Sequence, residues 1–485
     1  TIRWAAKIGE LMIVLGTNSI KDTGFDVTNS VRFEQSDDPY FQKSPTGDGN
    51  QRTFTFSVWL KMDLHASGDT HKIFDTGTGT NYFTFYVTEE PKLVVKGRIS
   101  GSTVFELIPT QVFRDPTAWF HLYIAVDTTQ GTASNRGKIY INGSQVTDFG
   151  TATYPSQNTD FEIQNASYPF RLGADKNLGD EHYDGYMAEY MFVDGAVQAL
   201  SDFGEFDEDS PTIWKPKDIS AIDVNPANSN GNGFYLDFKD SSNLGNDVGV
   251  NAGTDFSENN IAATDQATDT PTNNFCTFNP IANGGENLTF SEGNTTVFNG
   301  DNTWRSGFST FAVNSGKWYF EAKRTGSSAN AWVGIVDTSQ VDGTGVYKFN
   351  NKSRGYGYSA SGEKGNGSSE SAWGDAYAQN DIVGIAVDFT NSKIYFSKNG
   401  TWQNSGNPES GSTGTGSMYD IASGYDYFFA TALYSSSAGF AFNFGSPSFA
   451  ISSGNADADG YGNFEYSVPS GYFSLNTKNL AEYGG

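Results

Sequence analysis

The chain has 485 residues, and at about 150 residues per domain this length predicts roughly three domains or two large ones. Its 56 acidic and 30 basic residues leave a net charge of -26, which argues against binding to the phosphate backbone of a nucleic acid. The single cysteine, Cys276, excludes a disulfide framework, a zinc ribbon and an iron–sulfur cluster. An aromatic content of 15% argues against a disordered chain.

The N-terminal residues 1–29 contain an apolar stretch, Ile2–Leu15, that predicts a docking segment for a partner chain. The longest apolar run within it, Leu11–Leu15, is far shorter than the ~20 residues that cross a bilayer, so we expect no membrane insertion.

Residues 30–200 consist of short predicted strands separated by turns. The stretch Thr53–Met62 alternates between apolar and polar residues, as expected for a strand with one buried face. The pair Asn142-Gly143 predicts a tight hairpin turn. The other predicted strands are Ser30–Phe33, Tyr82–Thr88, Lys92–Gly97, Trp119–Asp127, Lys138–Asn142, Gln145–Phe149 and Gly185–Asp194. Strands at this spacing predict a β-sandwich.

The rest of the chain divides into three segments. Residues 201–275 are acidic and rich in Asn and Gly, which predicts a bridge with little core of its own. Residues 276–450 form a second β unit, with a hairpin-like turn at Asn399-Gly400. Its predicted strands are Lys317–Lys323, Ala331–Val336, Tyr356–Ser359, Asp381–Asp388, Lys393–Ser397, Tyr427–Tyr434 and Gly439–Phe444. Residues 451–485 are predicted to be a polar C-terminal tail. We therefore predict an all-β protein with two jelly-roll-type β-sandwiches joined by a polar bridging region.

Four short motifs lie in residues 30–200: Ser57–Lys61 (SVWLK), Trp119–Leu122 (WFHL), Lys138–Gly143 (KIYING) and Asp184–Glu189 (DGYMAE). Together they resemble a laminin-G-like or concanavalin-type lectin sandwich. The resemblance implies a lectin-like domain that binds ligands through its loops.

Four ordered motifs lie in the second β unit: Gly316–Glu321 (GKWYFE), Trp332–Ile335 (WVGI), Asp381–Asp388 (DIVGIAVD) and Phe442–Gly445 (FNFG). Together they resemble an SPRY domain, although the glycine of the second motif directly follows its valine. The resemblance implies a bent β-sandwich that binds partners through loops at one edge and is not an enzyme.

Three segments follow the first β unit in order: Phe203–Glu208 (FGEFDE), Gly233–Asp247 (GFYLDF…SNLGND) and Thr268–Phe275 (TDTPTNNF). A lectin-like sandwich followed by these segments resembles virion proteins of tailed phages, notably marine ones. The resemblance implies a tail fibre, spike or capsid-surface fibre that assembles with other virion proteins. Phage fibres are usually homotrimers, so it also implies a homo-oligomer, and specifically a trimer.

Sequence signals for catalysis are weak. Concanavalin-type glucanases carry E-x-D-x-x-E, but the nearest match, Glu205–Ser210, ends in serine where the second glutamate is needed. This segment is better interpreted as a solvated acidic linker. His121 lies in a predicted strand and reads as structural, and Cys276 reads as a buried, inert thiol. We therefore expect no enzyme activity and no catalytic residues.

Calcium is the one cofactor that the lectin resemblance implies, because related sandwiches often hold Ca²⁺ at a loop edge with oxygen ligands. The loop 175–184 offers four carboxylates for such a site: Asp175, Asp180, Glu181 and Asp184. Asp37 and Asp38 offer a second cluster. No D-x-D-x-D-G spacing is present, so charge-rich surface loops remain the alternative interpretation.

Carbohydrate binding needs flat aromatic faces together with amide and carboxylate hydrogen-bond partners. Five aromatic residues lie in loop-like surroundings and are candidates for ligand contact: Trp304, Trp373, Tyr377, Trp402 and Tyr425. Trp59, Trp119, Trp318 and Trp332 lie in predicted strands and are expected to pack in the core or on a sheet face. Packing under long loops is the alternative for the first group.

These observations predict a virion surface or tail-fibre-type protein that binds a host-surface glycan or protein through loop edges. Weak single contacts would be multiplied by the number of copies on one particle. Three alternatives stay open: a capsid decoration or fibre-shaft protein without a ligand, a polysaccharide depolymerase, and a secreted bacterial adhesin.

Overall fold

The computed structural model of the chain describes residues 24–63, 70–161, 163, 165–179, 181–226, 232–282, 287–341 and 347–484. These residues form two compact units, the first within residues 24–272 and the second within residues 273–484. Both are built mainly from antiparallel sheets. The prediction of an all-β protein with two β-sandwiches is confirmed.

The first unit contains two large sheets. Its strands are β1 (Ser30–Phe33), β2 (Tyr40–Lys43), β3 (Thr53–Met62), β4 (His71–Gly77), β5 (Tyr82–Val87), β6 (Leu93–Ile99), β7 (Ser102–Pro109), β8 (Phe120–Asp127), β9 (Gly137–Ile141), β10 (Ser144–Gln145), β11 (Phe149–Thr153), β12 (Phe170–Leu172), β13 (Gly185–Asp194), β14 (Gly204–Phe206), β15 (Trp214–Pro216), β16 (Phe234–Leu236), β17 (Ser257–Asn259) and β18 (Gln266–Ala267). A short helix, α1 (Leu200–Phe203), precedes β14.

The first sheet has the strand order β10-β9-β8-β3-β13-β1-β18, and β16 also pairs with β13. The second has the order β11-β7-β6-β5-β4-β12-β2-β17, while β14 and β15 form a separate hairpin. Apolar side chains of both large sheets form one core cluster, which is rich in phenylalanine. The predicted turn at Asn142-Gly143 is confirmed, because both residues have positive φ (46° and 76°) and the flanking strands β9 and β10 pair.

The predicted bridge, residues 201–275, differs from the structure, because residues up to 272 lie in the first unit. Its strands β16, β17 and β18 pair with β13, β2 and β1. Phe234, Leu236 and Phe256 join the core between the sheets, and Phe203 and Val224 pack on the outer face of the first sheet. The polar composition of the whole segment conceals these few apolar residues, which bury themselves against the sandwich.

The residues of this segment that pack on the outer face of the first sheet also explain why β3 is buried on both faces. The sequence predicts one buried face, with Phe54, Phe56, Val58 and Leu60, and these side chains do lie in the core. The opposite face is buried as well, including Trp59, which is only 4% exposed and packs with Trp214 and Val27.

The second unit also contains two sheets. Its strands are β19 (Leu288–Ser291), β20 (Thr296–Asn299), β21 (Arg305–Val313), β22 (Lys317–Arg324), β23 (Ala331–Asp337), β24 (Gly355–Ser359), β25 (Glu363–Asn366), β26 (Ser369–Ala372), β27 (Ile382–Asp388), β28 (Lys393–Lys398), β29 (Thr401–Trp402), β30 (Tyr419–Asp420), β31 (Tyr427–Leu433) and β32 (Gly439–Asn443). A helix, α2 (Thr477–Tyr483), lies near the end of the chain.

One sheet of this unit has the order β19-β20-β32-β22-β27-β28-β29, with β30 paired to β28, and the other has the order β21-β31-β23-β24-β25-β26. The predicted turn at Asn399-Gly400 is confirmed, because both residues have positive φ (48° and 78°) between the paired strands β28 and β29.

The predicted tail, residues 451–485, packs into the second unit instead of extending from it. Phe464 and Tyr472 are fully buried against Tyr319 and Tyr395 of the sheet. The carboxylate of Glu321 on β22 accepts backbone N–H groups from residues 465 and 466. The low overall hydrophobicity of the segment conceals these anchoring residues.

Of the predicted N-terminal docking segment, residues 1–23 lie outside the described residues. The remainder belongs to the first unit, because the N–H of Val27 donates to the Thr272 hydroxyl at 3.0 Å. Among the described residues, no helix has the length and apolar character needed to cross a membrane.

Candidate functional site

The outer face of the second sheet of the first unit carries a cluster of tyrosines and charged side chains. On β5, Phe83, Phe85 and Val87 point into the core, so the alternate residues Tyr82 and Tyr86 lie on the opposite face. The strand register aligns a polar row with them across six strands: Gln42, Arg171, Asp75, Thr84, Lys96 and Glu106. We call Lys72, Asp75, Tyr82, Tyr86, Lys96 and Lys176 the tyrosine–lysine face.

Two lysines cover the tyrosine rings of this face. The Nζ atom of Lys72 lies 4.2 Å from the centroid of the Tyr86 ring, and that of Lys176 lies 4.4 Å from the centroid of the Tyr82 ring. A cation over a ring face within about 6 Å is attracted by the ring quadrupole. These contacts hold both the ammonium groups and the rings in defined positions on the sheet.

Asp75 lies beneath the two lysines and is fully buried. The Nζ atoms of Lys72 and Lys176 lie 3.8 and 3.7 Å from its Oδ2 atom. Burial raises the pKa of Asp75 to about 6, although both lysines oppose the shift. The buried carboxylate therefore pairs with the two ammonium groups that cover the tyrosine rings.

The face therefore combines aromatic rings with hydrogen-bond donors and acceptors of both charges. Lys72 also pairs with Glu181 at 3.0 Å, and Lys96 pairs with Glu106 at 2.8 Å. Such a surface can stack on the apolar side of a ligand and hydrogen-bond its polar groups. The sequence signal was the alternation in YFTFYV, where two tyrosines occupy the face opposite the phenylalanines, and sequence reasoning missed it.

The loop predicted to bind calcium is held by its own backbone at Asp175. The carboxylate of this residue accepts N–H groups from Asn177 at 3.1 Å and from Gly179 at 2.6 Å. Asp180 lies outside the described residues. These backbone contacts use the oxygens that the prediction assigned to a metal.

The other predicted metal ligands are not brought together either. Glu181 faces the ammonium of Lys72, and Asp184 is fully buried at the start of β13. Asp38 lies 3.6 Å from the His182 ring, and Asp37 lies in a short turn of 3₁₀ helix. Within the described part of the chain, no group of three or more His, Cys, Asp or Glu residues is arranged to hold a metal ion. Calcium binding stays a prediction.

One of the five predicted ligand-contacting aromatic residues, Tyr377, is in the core of the second unit. It is 1% exposed, and its hydroxyl lies within hydrogen-bonding distance of the carbonyl oxygens of Tyr358 (3.2 Å) and Ala331 (3.4 Å). Its position in a polar, glycine-rich stretch is typical of a loop residue, which is why the sequence predicted exposure. Its ring is not available to a ligand in this arrangement.

The other four aromatic residues differ in exposure. Three are half-buried against a neighbouring ring: Trp304 against Tyr434, Trp373 against Tyr358 and Trp402 against Tyr319, with centroid separations of 5.4, 5.4 and 6.5 Å. Tyr425 is 39% exposed, and the Arg354 guanidinium lies 4.0 Å from its ring centroid. Of the five, Tyr425 is therefore the ring most available to a ligand.

His121 forms a buried pair with Ser57 that is not arranged for catalysis. The Trp214 indole N–H donates to His121 Nδ1 at 3.1 Å, so the neutral ring carries its proton on Nε2. That Nε2–H then donates to Ser57 Oγ at 2.8 Å. Burial lowers the pKa of His121 to about 3. Because Nε2 is a donor, it cannot remove the serine proton, and the structural interpretation of His121 is supported.

The acidic segment that resembles a glucanase motif forms a hairpin of β14 and β15. Asp207 Oδ1 accepts the N–H groups of Asp209 and Ser210 at 3.1 and 2.8 Å, and its Oδ2 lies 3.3 Å from Lys215 Nζ. Glu205 lies 3.9 Å from the same lysine. The carboxylates thus hold a turn and bind lysines.

Glu189 is a second buried carboxylate that sequence reasoning missed. It lies at an irregularity in β13, with φ of 49°, and accepts the Tyr235 hydroxyl at 2.5 Å. Burial raises the pKa of Glu189 to about 7, and the tyrosine hydrogen bond opposes the shift. The signal was an acidic residue in the middle of the apolar strand GYMAEYMFVD.

We expect Glu189→Gln to change the pH dependence of stability. Since the folded-state pKa of about 7 lies above the ordinary 4.5, this carboxyl contributes stability that is fully present below pH 4.5 and is lost as the pH rises through 7. The amide cannot ionise, so the variant does not lose this stability. As the pH rises from 4.5 to 7, its unfolding free energy should therefore increase by about 3 kcal/mol relative to that of the unmodified protein. Urea denaturation from pH 4 to pH 8 measures it. Glu208→Gln, at an exposed position, should show the same pH dependence of unfolding free energy as the unmodified protein. The same pH dependence in Glu189→Gln would contradict the conclusion that burial raises the pKa of Glu189.

Each unit contains a segment that matches the model of a known family. Residues 35–200 match the family model described as the Concanavalin A-like lectin/glucanases superfamily, and residues 317–447 match the SPRY domain model. The chain carries a concanavalin A-like domain and an SPRY domain. The tyrosine–lysine face lies in the concanavalin-like domain, and Tyr425 lies in the SPRY domain. No curated protein matches the chain.

Three solved structures that match parts of the chain share little sequence with it. The SPRY domain of human HERC1 is 17% identical, covering 34% of this chain and 96% of that domain, with a TM-score of 0.28. The native heptameric SAP-like pentraxin from Limulus polyphemus is 17% identical, with coverages of 36% and 80% and a TM-score of 0.26. A human SPRY domain is 17% identical, with coverages of 32% and 94% and a TM-score of 0.25.

Proposed function

We propose that this protein is a non-enzymatic adhesion protein of a virion surface or tail fibre that binds a host-surface glycan or protein. The observation that carries the proposal is the tyrosine–lysine face. Its half-buried rings, together with the partly exposed side chains of Lys96, Lys176, Glu106 and Glu181, have the chemistry that recognises a hydroxyl-rich ligand. Concanavalin-like and SPRY domains are typically binding modules, which supports a binding role.

The virion location is supported by the order of the segments that follow the concanavalin-like domain, which resembles tailed-phage virion proteins. We propose a homotrimer that assembles with other virion proteins, so that many weak sites act together on one particle. A net charge of -26 favours solubility of an exposed, high-copy surface. A secreted adhesin with the same domains is the alternative location.

Tyr86→Ala tests the role of the face. We expect about tenfold weaker binding to a glycan array and to host cells, because the change removes one ring and the cation–π contact that Lys72 makes with it. The unfolding temperature should change little, since Tyr86 lies on the outer face. Tyr168→Ala, at another half-buried tyrosine of the same domain, is the matched control and should bind normally.

Three results would contradict the proposal. Absence of binding by the unmodified protein on both the array and the cells would favour a capsid decoration or fibre-shaft role. A fall in the size of host polysaccharide during incubation with the protein would show a depolymerase. Equal loss of binding in Tyr86→Ala and Tyr168→Ala would show that the tyrosine–lysine face has no specific role in binding.

A further inference from the structure

A cleft of about 580 Å³ lies at one side of the first sandwich, next to the hairpin loop that leads into β9 and the chain between β10 and β11. The two sheets end here, since β10 is the edge strand of the first sheet and β11 that of the second. A second, smaller cavity of about 210 Å³ shares the lining residues 145–148. The volume of the larger cleft alone falls in the range of small-molecule sites.

The floor of the cleft is apolar and anchored to the core. Val146, Phe149 and Tyr154 line it, and all three are half-buried against the core cluster. The Tyr154 ring thus offers an apolar surface while remaining accessible at the cleft. Rigid aromatic and aliphatic groups of this kind can contact the C–H face of a sugar at little entropic cost.

The rim of the cleft is polar, and two of its side chains are held by neighbours. Gln145 Oε1 accepts the Tyr140 hydroxyl at 3.2 Å, which leaves the amide NH₂ group as a donor. Asp148 Oδ2 accepts the Thr110 hydroxyl at 2.7 Å, which leaves Oδ1 as an acceptor. Holding a donor and an acceptor in place before a ligand arrives reduces the entropy lost on binding.

The charge of the lining selects among ligands. Lys138 and Asp148 are its charged residues and have opposite signs, so the cleft has no net charge to attract an ion. This lining does not fit a phosphate, a sulfate or an amine. A neutral ligand rich in hydroxyl groups matches alternating donors and acceptors above an apolar floor.

An extended peptide fits less well. It would have to add to the free edge of β11, but the register of β11 shifts between Phe149 and Thr151. An irregularity of this kind twists an edge strand and makes it less able to pair with a further strand. Small or exposed residues at the edge, Gly150 and Ala152, leave space for a compact ring instead.

We propose that this cleft is a second binding site of the first domain and takes a short neutral oligosaccharide. Tyr154 and Phe149 contact the sugar rings, and Gln145, Asp148 and Lys138 hydrogen-bond their hydroxyls. This site is separate from the tyrosine–lysine face, and each can fail without the other.

Saturation-transfer difference NMR on the full chain tests the proposal with maltotriose, cellotriose and mannotriose as probes. We expect signals from at least one of them with the unmodified protein. Ala152→Phe places a ring in the cleft and should abolish the signals. Ala263→Phe, at an exposed alanine away from the cleft, is the matched control and should retain them. Gln145→Ala removes one donor without filling the space and should weaken the signals about tenfold. This second variant keeps the test valid if Ala152→Phe fails to fold.

Ala152→Phe also separates the two sites, because it should lose the trisaccharide signals and keep the array and host-cell binding proposed for the tyrosine–lysine face. Absence of signal from all three probes would overturn the cleft proposal, as would signals that persist in Ala152→Phe. Loss of signal in Tyr86→Ala alone would assign the sugar to the tyrosine–lysine face.

Discussion

Glu321→Ala is expected to lower the unfolding free energy of the SPRY-containing unit by about 4 kcal/mol. Glu321 is fully buried and accepts four hydrogen bonds: from the N–H groups of Glu465 and Tyr466 (3.0 and 2.8 Å), the Tyr319 hydroxyl (3.1 Å) and the Asn443 amide (3.2 Å). Alanine would remove the acceptor that these four donors share, and two of them, the Tyr319 hydroxyl and the Asn443 amide, belong to fully buried residues. Differential scanning calorimetry measures the loss.

The same change should release the C-terminal segment, because two of the lost bonds attach it to β22. Hydrogen exchange of peptides covering residues 455–480 should become faster in the variant. Glu321→Gln retains one acceptor oxygen and should cost less, whereas Glu208→Ala, at an exposed position of the other unit, should cost nothing measurable. Unchanged exchange in Glu321→Ala would show that the aromatic contacts of Phe464 and Tyr472 hold the segment alone.

Phe56→Ala should destabilise the concanavalin-like unit by about 4 kcal/mol. The Phe56 ring is 1% exposed and lies 4.5 Å from Phe192, 4.7 Å from Phe74 and 5.0 Å from Phe85, measured between centroids. Those partners lie on strands of both sheets, so truncation opens a cavity in the middle of the sandwich. Guanidinium denaturation measures the change.

Phe206→Ala is the matched control for this core variant. Phe206 is 41% exposed, and its ring packs against Trp214 at 5.1 Å. Its truncation removes little buried area and should cost less than about 1 kcal/mol. Equal losses from the two phenylalanines would contradict the assignment of Phe56 to the centre of the core.

The sequence was sufficient to predict features that depend on local chemistry. Alternation in Thr53–Met62 predicted a strand, and two Asn-Gly pairs predicted hairpin turns, because only a few residues adopt positive φ readily. The SPRY motifs and the lectin-like motifs predicted two sandwiches, which the family comparisons support.

Features that depend on distant partners were not predictable in the same way. Lys61 lies on the face of Thr53–Met62 that the alternation predicts to be polar, yet it is 1% exposed because Asp269, some two hundred residues later, pairs with it at 2.7 Å. Tyr377 was expected to be exposed, but its surroundings in three dimensions bury it. Tyr86 was missed because its importance comes from Lys72 on the neighbouring strand, a pairing that one strand's sequence does not reveal.

The strand order of the first unit has a consequence for its synthesis on the ribosome. Strand β1, which begins at Ser30, lies between β13 and β18, and β18 ends at Ala267. A nascent chain can therefore not complete this sheet until Ala267 has been made. At about 5–20 residues per second, the early strands must wait roughly 10–50 seconds for their last partner. During that interval the phenylalanine-rich core is incomplete, so this domain is one for which protection of the nascent chain matters.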